Sequence, residues 1–317
     1  MNRQLRLRLA LGALAILFAS GAQAQTRHVV FVAGPKDHGG PGAHEYARDL
    51  EALKGCLDTS NIKGLSTTLV QGAVPDAAAL AGASVLVMES SGDRYQQERH
   101  VLFPFDGTTD HQTYDAATTA RLAAIDGLVK KGLGVVVLHY ATYVNNNTAR
   151  RYFLDWVGGY YESGYSRTVV TEWDVTPSTS PHPILRGVTP WRFRDEFYIN
   201  LRTPEDRRRT PLLTATPTAA TRMPAVPEAM VPLGGPPLSP EPATVPPSLV
   251  SWAVEREGGG RGFVMSGVHA HANLADDSFR RFLLNGIVWA AGADVPPGGV
   301  VCALPTAGSP QPAAGAR

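Results

Sequence analysis

The chain has 317 residues, 29 Lys and Arg against 28 Asp and Glu, and is 44% hydrophobic. That length is ample for a large packed core, while a net charge of +1 leaves no basic stripe to pair with phosphates. Nucleic acid is therefore not an expected partner, and Arg207-Arg208-Arg209 reads as a solvated loop face.

Arg3, Arg6 and Arg8 precede an apolar run from Leu9 to Ala19, and Ala22-Gln23-Ala24 supplies a small-x-small cleavage pattern. Residues 1–24 thus read as a secretory signal peptide, with the mature protein periplasmic or secreted. The run is short of the roughly 20 apolar residues that span a bilayer, and no later segment is long enough, so stable membrane insertion is not expected. Without the three signal arginines the mature chain stands at −2.

Nearly continuous apolar runs at His28 to Ala33, Ser84 to Glu89, Gly134 to His139 and Gly262 to His269 read as strands buried on both faces. Helical spacing separates them. Tyr46, Leu50, Leu53 and Leu57 form one stripe, and Leu122, Ile125 and Val129 another. Phe279, Phe282, Leu283 and Ile287 form a third, after the acidic start Asp276-Asp277. Strands alternating with helices predict an α/β fold, an open, mostly parallel sheet with helices on both faces. Thr168 to Val175 alternates as a further strand. Proline is dense between Thr210 and Pro247, which predicts a surface loop there rather than sheet. One domain is expected over residues 26–300, followed by a disordered Ala/Gly/Pro-rich tail over 301–317. Cys56 and Cys302 are the only cysteines; in an oxidising compartment they either pair or stay apart.

Five of the nine histidines follow the predicted strands, at the edge where open α/β sheets bind ligands. The loop Gly34 to Tyr46 carries His38, His44 and Glu45 among glycines that allow close approach to a ligand. It lacks the Gly-Lys-Ser/Thr of a P-loop, so no nucleotide cofactor is expected. His139 ends another strand, where a nucleophile elbow would require Cys or Ser. It is either an imidazole ligand or base, or a core histidine bonded to backbone. In Ser266-Gly-Val-His-Ala-His271, an extended chain would turn both imidazoles to one side, a half-site for Zn²⁺ or a similar ion. Phe193 to Asn200 places Asp195 and Glu196 among aromatics. That is either a sugar platform or an ordinary exposed strand.

Several stretches together resemble the ThuA-like proteins, named for trehalose utilisation, and specifically an exported branch. They are His38-Gly-Gly-Pro-Gly-Ala-His-Glu45, Leu138-His-Tyr-Ala141, Trp156-Val-Gly-Gly-Tyr-Tyr-Glu162, His182-Pro-Ile184, Asp195-Glu-Phe-Tyr198, His269-Ala-His271 and Asn285-Gly-Ile-Val-Trp-Ala-Ala-Gly292. The resemblance spans His28 to about Val300 and implies a flavodoxin-like, class I glutamine amidotransferase-like fold and a role in carbohydrate catabolism. The first loop is one glycine longer than in that branch. Two departures stand out: Gly267-Val-His-Ala-His271 lacks an aromatic found in that branch, and the Pro-rich loop before Ser248 is idiosyncratic.

The expected function is an exported enzyme acting on a glycoside or 3-keto sugar, a small carbohydrate substrate, with a divalent metal such as Zn²⁺. The rival is a non-catalytic periplasmic carbohydrate-binding protein; amide hydrolysis conflicts with the absent nucleophile. Expected catalytic residues are His44, Glu45, His139 and Glu196. His38, Asp195, Tyr198 and Tyr140 are expected at the substrate, and His38, His139, His269 and His271 at the metal.

Overall fold

Among the described residues, nine strands and four α-helices follow the β/α alternation of the sequence, then depart from it in the middle of the chain. The computed structural model describes residues 26–93, 100–103, 116–144, 147–203, 209–225 and 242–302. The predicted signal peptide, the segment 226–241 and the tail from residue 303 lie outside those residues.

Strands β1 (Arg27–Ala33), β2 (Leu65–Gln71), β3 (Val85–Glu89), β4 (Gly134–Leu138) and β9 (Arg261–Met265) run parallel in the order β2-β1-β3-β4-β9. The remaining strands, β8 (Ser248–Glu255), β7 (Arg209–Pro217), β5 (Arg167–Pro177) and β6 (Trp191–Ile199), extend the same sheet antiparallel in that order. The parallel sheet expected from the sequence therefore accounts for one half, and the whole is mixed.

Alternation sorts the core. Val29, Phe31, Val85, Val87, Val136 and Leu138 join one apolar cluster with α1 (Tyr46–Asp58) and α4 (Asp277–Ala290). Val30, Val32, Leu86, Met88, Val135 and Val137 join another with α2 (Ala116–Val129) and α3 (Asn147–Val157). Successive side chains of a strand point to opposite faces, so each parallel strand contributes to both clusters. The acidic start of α4 works as read: the Asp276 carboxylate accepts from the Phe279 N–H at 2.8 Å.

Three boundaries differ from expectation. The Pro-rich stretch is not all loop, because its first part forms β7. Pro211 is accommodated where the register against β8 shifts, at an irregularity that tolerates a missing N–H. Strand β9 stops at Met265, short of His269, because Val268 takes a φ of 86° that no extended strand permits. The folded domain continues to Cys302, which forms a disulfide with Cys56 of α1, their Cα atoms 5.1 Å apart. Next to it the Val301 N–H donates to Asn61 Oδ1 at 3.0 Å, so residues 301–302 are anchored rather than tail. Among the described residues no helix is long and apolar enough to cross a membrane.

Candidate functional site

The site lies at the carboxyl ends of β1, β4 and β9, where loops leave the parallel sheet. Two of these loops are zipped together. The His44 N–H donates to the His269 carbonyl at 3.0 Å, and the His271 N–H to the Gly42 carbonyl at 2.9 Å. A β-bridge between Ala43 and Ala270 lies between these bonds.

Strand β6 is the far edge of the sheet, yet it closes the site. Its alternation places Asp195 and Phe197 on one face, Glu196 and Tyr198 on the other. The buried Asp195 carboxylate accepts from the backbone N–H groups of Val268 at 3.2 Å and Ala270 at 3.1 Å, binding β6 to the loop after β9. At Gly267 a Cβ would sit 2.3 Å from the Phe197 ring, so only glycine allows that approach. With β6 held there, Glu196 reaches the histidines.

His44, His139, Glu196 and His269 each offer a ligand atom, and these atoms all lie within 4.8 Å of one another. Glu196 Oε1 is 3.7 Å from His139 Nε2 and 3.9 Å from His269 Nδ1. Both of those ring nitrogens are buried with no hydrogen-bond partner in the structure. An unpaired buried polar nitrogen is costly, and two of them facing one carboxylate fit a cation between them. His139 is oriented for this: its Nδ1–H donates to the Ser266 carbonyl at 3.0 Å, which leaves Nε2 bare. Its ring stacks on Tyr198 at 4.7 Å between centroids.

Electrostatics keep the imidazoles neutral, as metal ligation requires. Burial, then the neighbouring imidazoles of His38 and His269, pushes His44 down to about 3. Burial also drives His139 well below the ordinary histidine range, with His44 and His269 adding to it. His269 is lowered by the same two causes, burial and then His38. The Glu196 carboxyl is raised by burial, against a hydrogen bond from Tyr198. Backbone strain gathers here too. Of the four non-glycine residues at positive φ among the described residues, three are His44 (53°), His139 (46°) and Val268 (86°).

The other expected site residues do different work. His271 stands outside the group, its Nδ1 paired with Asp49 of α1. Because the chain has left the strand by Val268, the two-residue alternation that would have put His271 beside His269 does not apply. Glu45 staples its own loop, accepting from Lys36 Nζ and from the Gly42 N–H at 2.9 Å. The Lys36 bond, then the Gly42 bond, lowers its carboxyl. Asp195 holds backbone rather than a ligand, and burial raises it to about 7 against those backbone bonds. Tyr198 and Tyr140 are only 2% and 6% exposed, so they pack the histidines rather than offer an open stacking face. His38 stays at the rim: its ring lies 4.1 Å from that of His44 and its side chain is 32% exposed. Sequence reading missed Asp37, Tyr46 and Ser91 as supports of this site; a carboxylate directly before His38 was the available signal.

The ThuA family, described as trehalose utilisation, matches residues 39–290, and the chain belongs to that family. A ThuA-like protein from Bacteroides uniformis shares the fold at TM-score 0.52 and 15% identity, over 87% of this chain and 96% of that one. One from Parabacteroides merdae does so at TM-score 0.50 and 18% identity, over 86% and 92%. A glutamine amidotransferase from Thermotoga maritima is more distant, at TM-score 0.41 and 8% identity over 84% and 96%. No curated protein matches the chain.

Proposed function

We propose that this ThuA-family chain is an exported enzyme of carbohydrate breakdown that uses a divalent metal to act on a glycoside or 3-keto sugar. One observation carries the reading: three imidazoles and a carboxylate converge within 4.8 Å, and two of the imidazole nitrogens are buried without partners. Ligand bonds near 2 Å place donors around one ion about 3–4 Å apart, so modest side-chain adjustment closes the set. Imidazole with carboxylate suits Zn²⁺, Mn²⁺ or Fe²⁺, and His44, His139, His269 and Glu196 would hold it. When bound, such an ion polarises a carbonyl and stabilises an enediolate.

The family description, trehalose utilisation, supports a sugar substrate. Export is supported by the signal-like N-terminus and by the Cys56–Cys302 bridge, since disulfides persist in oxidising compartments. In a 3-keto-glycoside the ketone acidifies the proton on C2. A base removes that proton, the C1–O bond to the leaving group breaks, and the departing alkoxide takes a proton to leave as an alcohol. A 1,2-unsaturated ketone remains. With Glu196 at the metal and Glu45 tied to Lys36, the rim imidazole of His38 is the base best placed.

Protein purified without chelators is expected to carry about one equivalent of divalent metal. It should release alcohol from 3-keto-glucosides, with activity lost on chelation and in His139→Ala. Sugar binding without product, unchanged by chelator or by His139→Ala, would establish the non-catalytic binding protein instead.

A further inference from the structure

Five side chains form an unbroken line from the rim of the site into its interior. Asp37 Oδ1 lies 2.8 Å from His38 Nδ1 and in close contact with Ser91 Oγ. Ser91 Oγ is 3.2 Å from both His38 Nδ1 and the Tyr46 hydroxyl. The Tyr46 hydroxyl in turn is 3.0 Å from His44 Nδ1. Tyr46, Ser91 and His44 are buried, so bulk water does not substitute freely for these partners.

Counting protons gives the line a direction. An ionised carboxylate only accepts, so His38 Nδ1–H and Ser91 Oγ–H both point at Asp37. Ser91 has a single proton, already spent, and meets Tyr46 as an acceptor. The Tyr46 proton is therefore directed to Ser91, and its oxygen accepts from His44 Nδ1–H. Reversing any link sets two lone pairs, or two protons, against each other. The polarity that makes every contact a hydrogen bond leaves Nε2 bare on both histidines.

We propose that Asp37 is the positioning residue that sets both tautomers, directly for His38 and through Ser91 and Tyr46 for His44. One carboxylate thereby presents His44 as a metal ligand through Nε2 and His38 as a base through Nε2. The assignment of those two roles rests on the metal-dependent reading above. The tautomers themselves follow from the hydrogen bonds alone. Outer partners of this kind typically govern metal affinity by 10–100-fold.

Long-range ¹H–¹⁵N spectra of the imidazole rings test it on metal-free protein, because the two neutral tautomers differ in their nitrogen shifts. Wild type is expected to show His44 and His38 with the proton on Nδ1. Ser91→Ala frees the Tyr46 proton to turn toward His44, so His44 should switch to the Nε2–H form while His38 keeps its own. Asp37→Ala should disturb both. Zn²⁺ titration against a chromophoric chelator should show affinity about 10–100-fold weaker in Ser91→Ala. Finding the Nε2–H form at His44 in wild type, or no change in Ser91→Ala, overturns the proposal. Wild type that binds no Zn²⁺ yet shows these tautomers overturns the metal reading and leaves the Asp37 assignment standing. Should a variant fail to fold, the wild-type spectrum still decides.

Discussion

Glu89 ends β3 with its side chain fully buried beside the Asp49 carboxyl. Burial, and then the buried Asp49 carboxyl beside it, raises Glu89 well above the usual carboxylate range. Its proton is thus kept in the folded state at pH values where an unfolded chain has released it. Below the unfolded value of 4.5 both states hold the proton and Glu89 costs nothing. As pH climbs from there toward the folded pKa, unfolding gains free energy from ionisation and stability declines. Glu89→Gln removes that dependence. Urea midpoints followed from pH 4 upward should fall for wild type and fall less for the variant; parallel curves would show that Glu89 does not hold its proton. The same neighbourhood explains His271, whose bond to Asp49 compensates one of two buried acids instead of serving the site.

At the level of elements, the placement of β6 decides whether the site exists. Removing the Asp195 carboxylate deprives the Val268 and Ala270 N–H groups of their acceptor and releases the strand from the loop. Asp195→Ala should therefore lower stability by about 1–3 kcal/mol for each N–H left unpaired and abolish tight Zn²⁺ binding. Urea denaturation and a Zn²⁺ isotherm measure the two together. Near-wild-type affinity would mean that β6 is held by packing alone. This element also marks the limit of what could be read beforehand. Strands β1, β3, β4 and β9 were legible because burial on both faces makes them continuously apolar. Strand β2 escaped because half of it faces solvent and Ser66, Thr67 and Thr68 interrupt its pattern. Helix α3 escaped although Ala149, Phe153, Trp156 and Val157 hold helical spacing, since Arg150, Arg151 and Asp155 dilute it. His44, His139, His269 and Glu196 were all named from sequence, but not as one set. Their convergence depends on a non-local fact, the return of an edge strand to the parallel half. No local pattern encodes that.

For the molecule as a whole, the Cys56–Cys302 bridge closes a loop of 246 residues in sequence separation. It ties the end of α1 remote from the site to the far end of the described chain. Cys56→Ala with Cys302→Ala should therefore cost about 2–5 kcal/mol of stability, by denaturant titration, while leaving Zn²⁺ affinity unchanged. Weakened affinity would show that the bridge also tensions the site.

The candidate donors come from four segments: the loop after β1, the end of β4, strand β6 and the loop after β9. None of these is adjacent in the chain, so an unfolded molecule has no comparable site to offer. An ion seated there would act as a clasp across the fold, and its binding free energy would add to folding free energy. At 100 times its dissociation constant that contribution is about 2.7 kcal/mol. A chelator would then act as a mild denaturant. The metal content of the surroundings would help set how long the molecule survives, apart from whether it turns over a sugar.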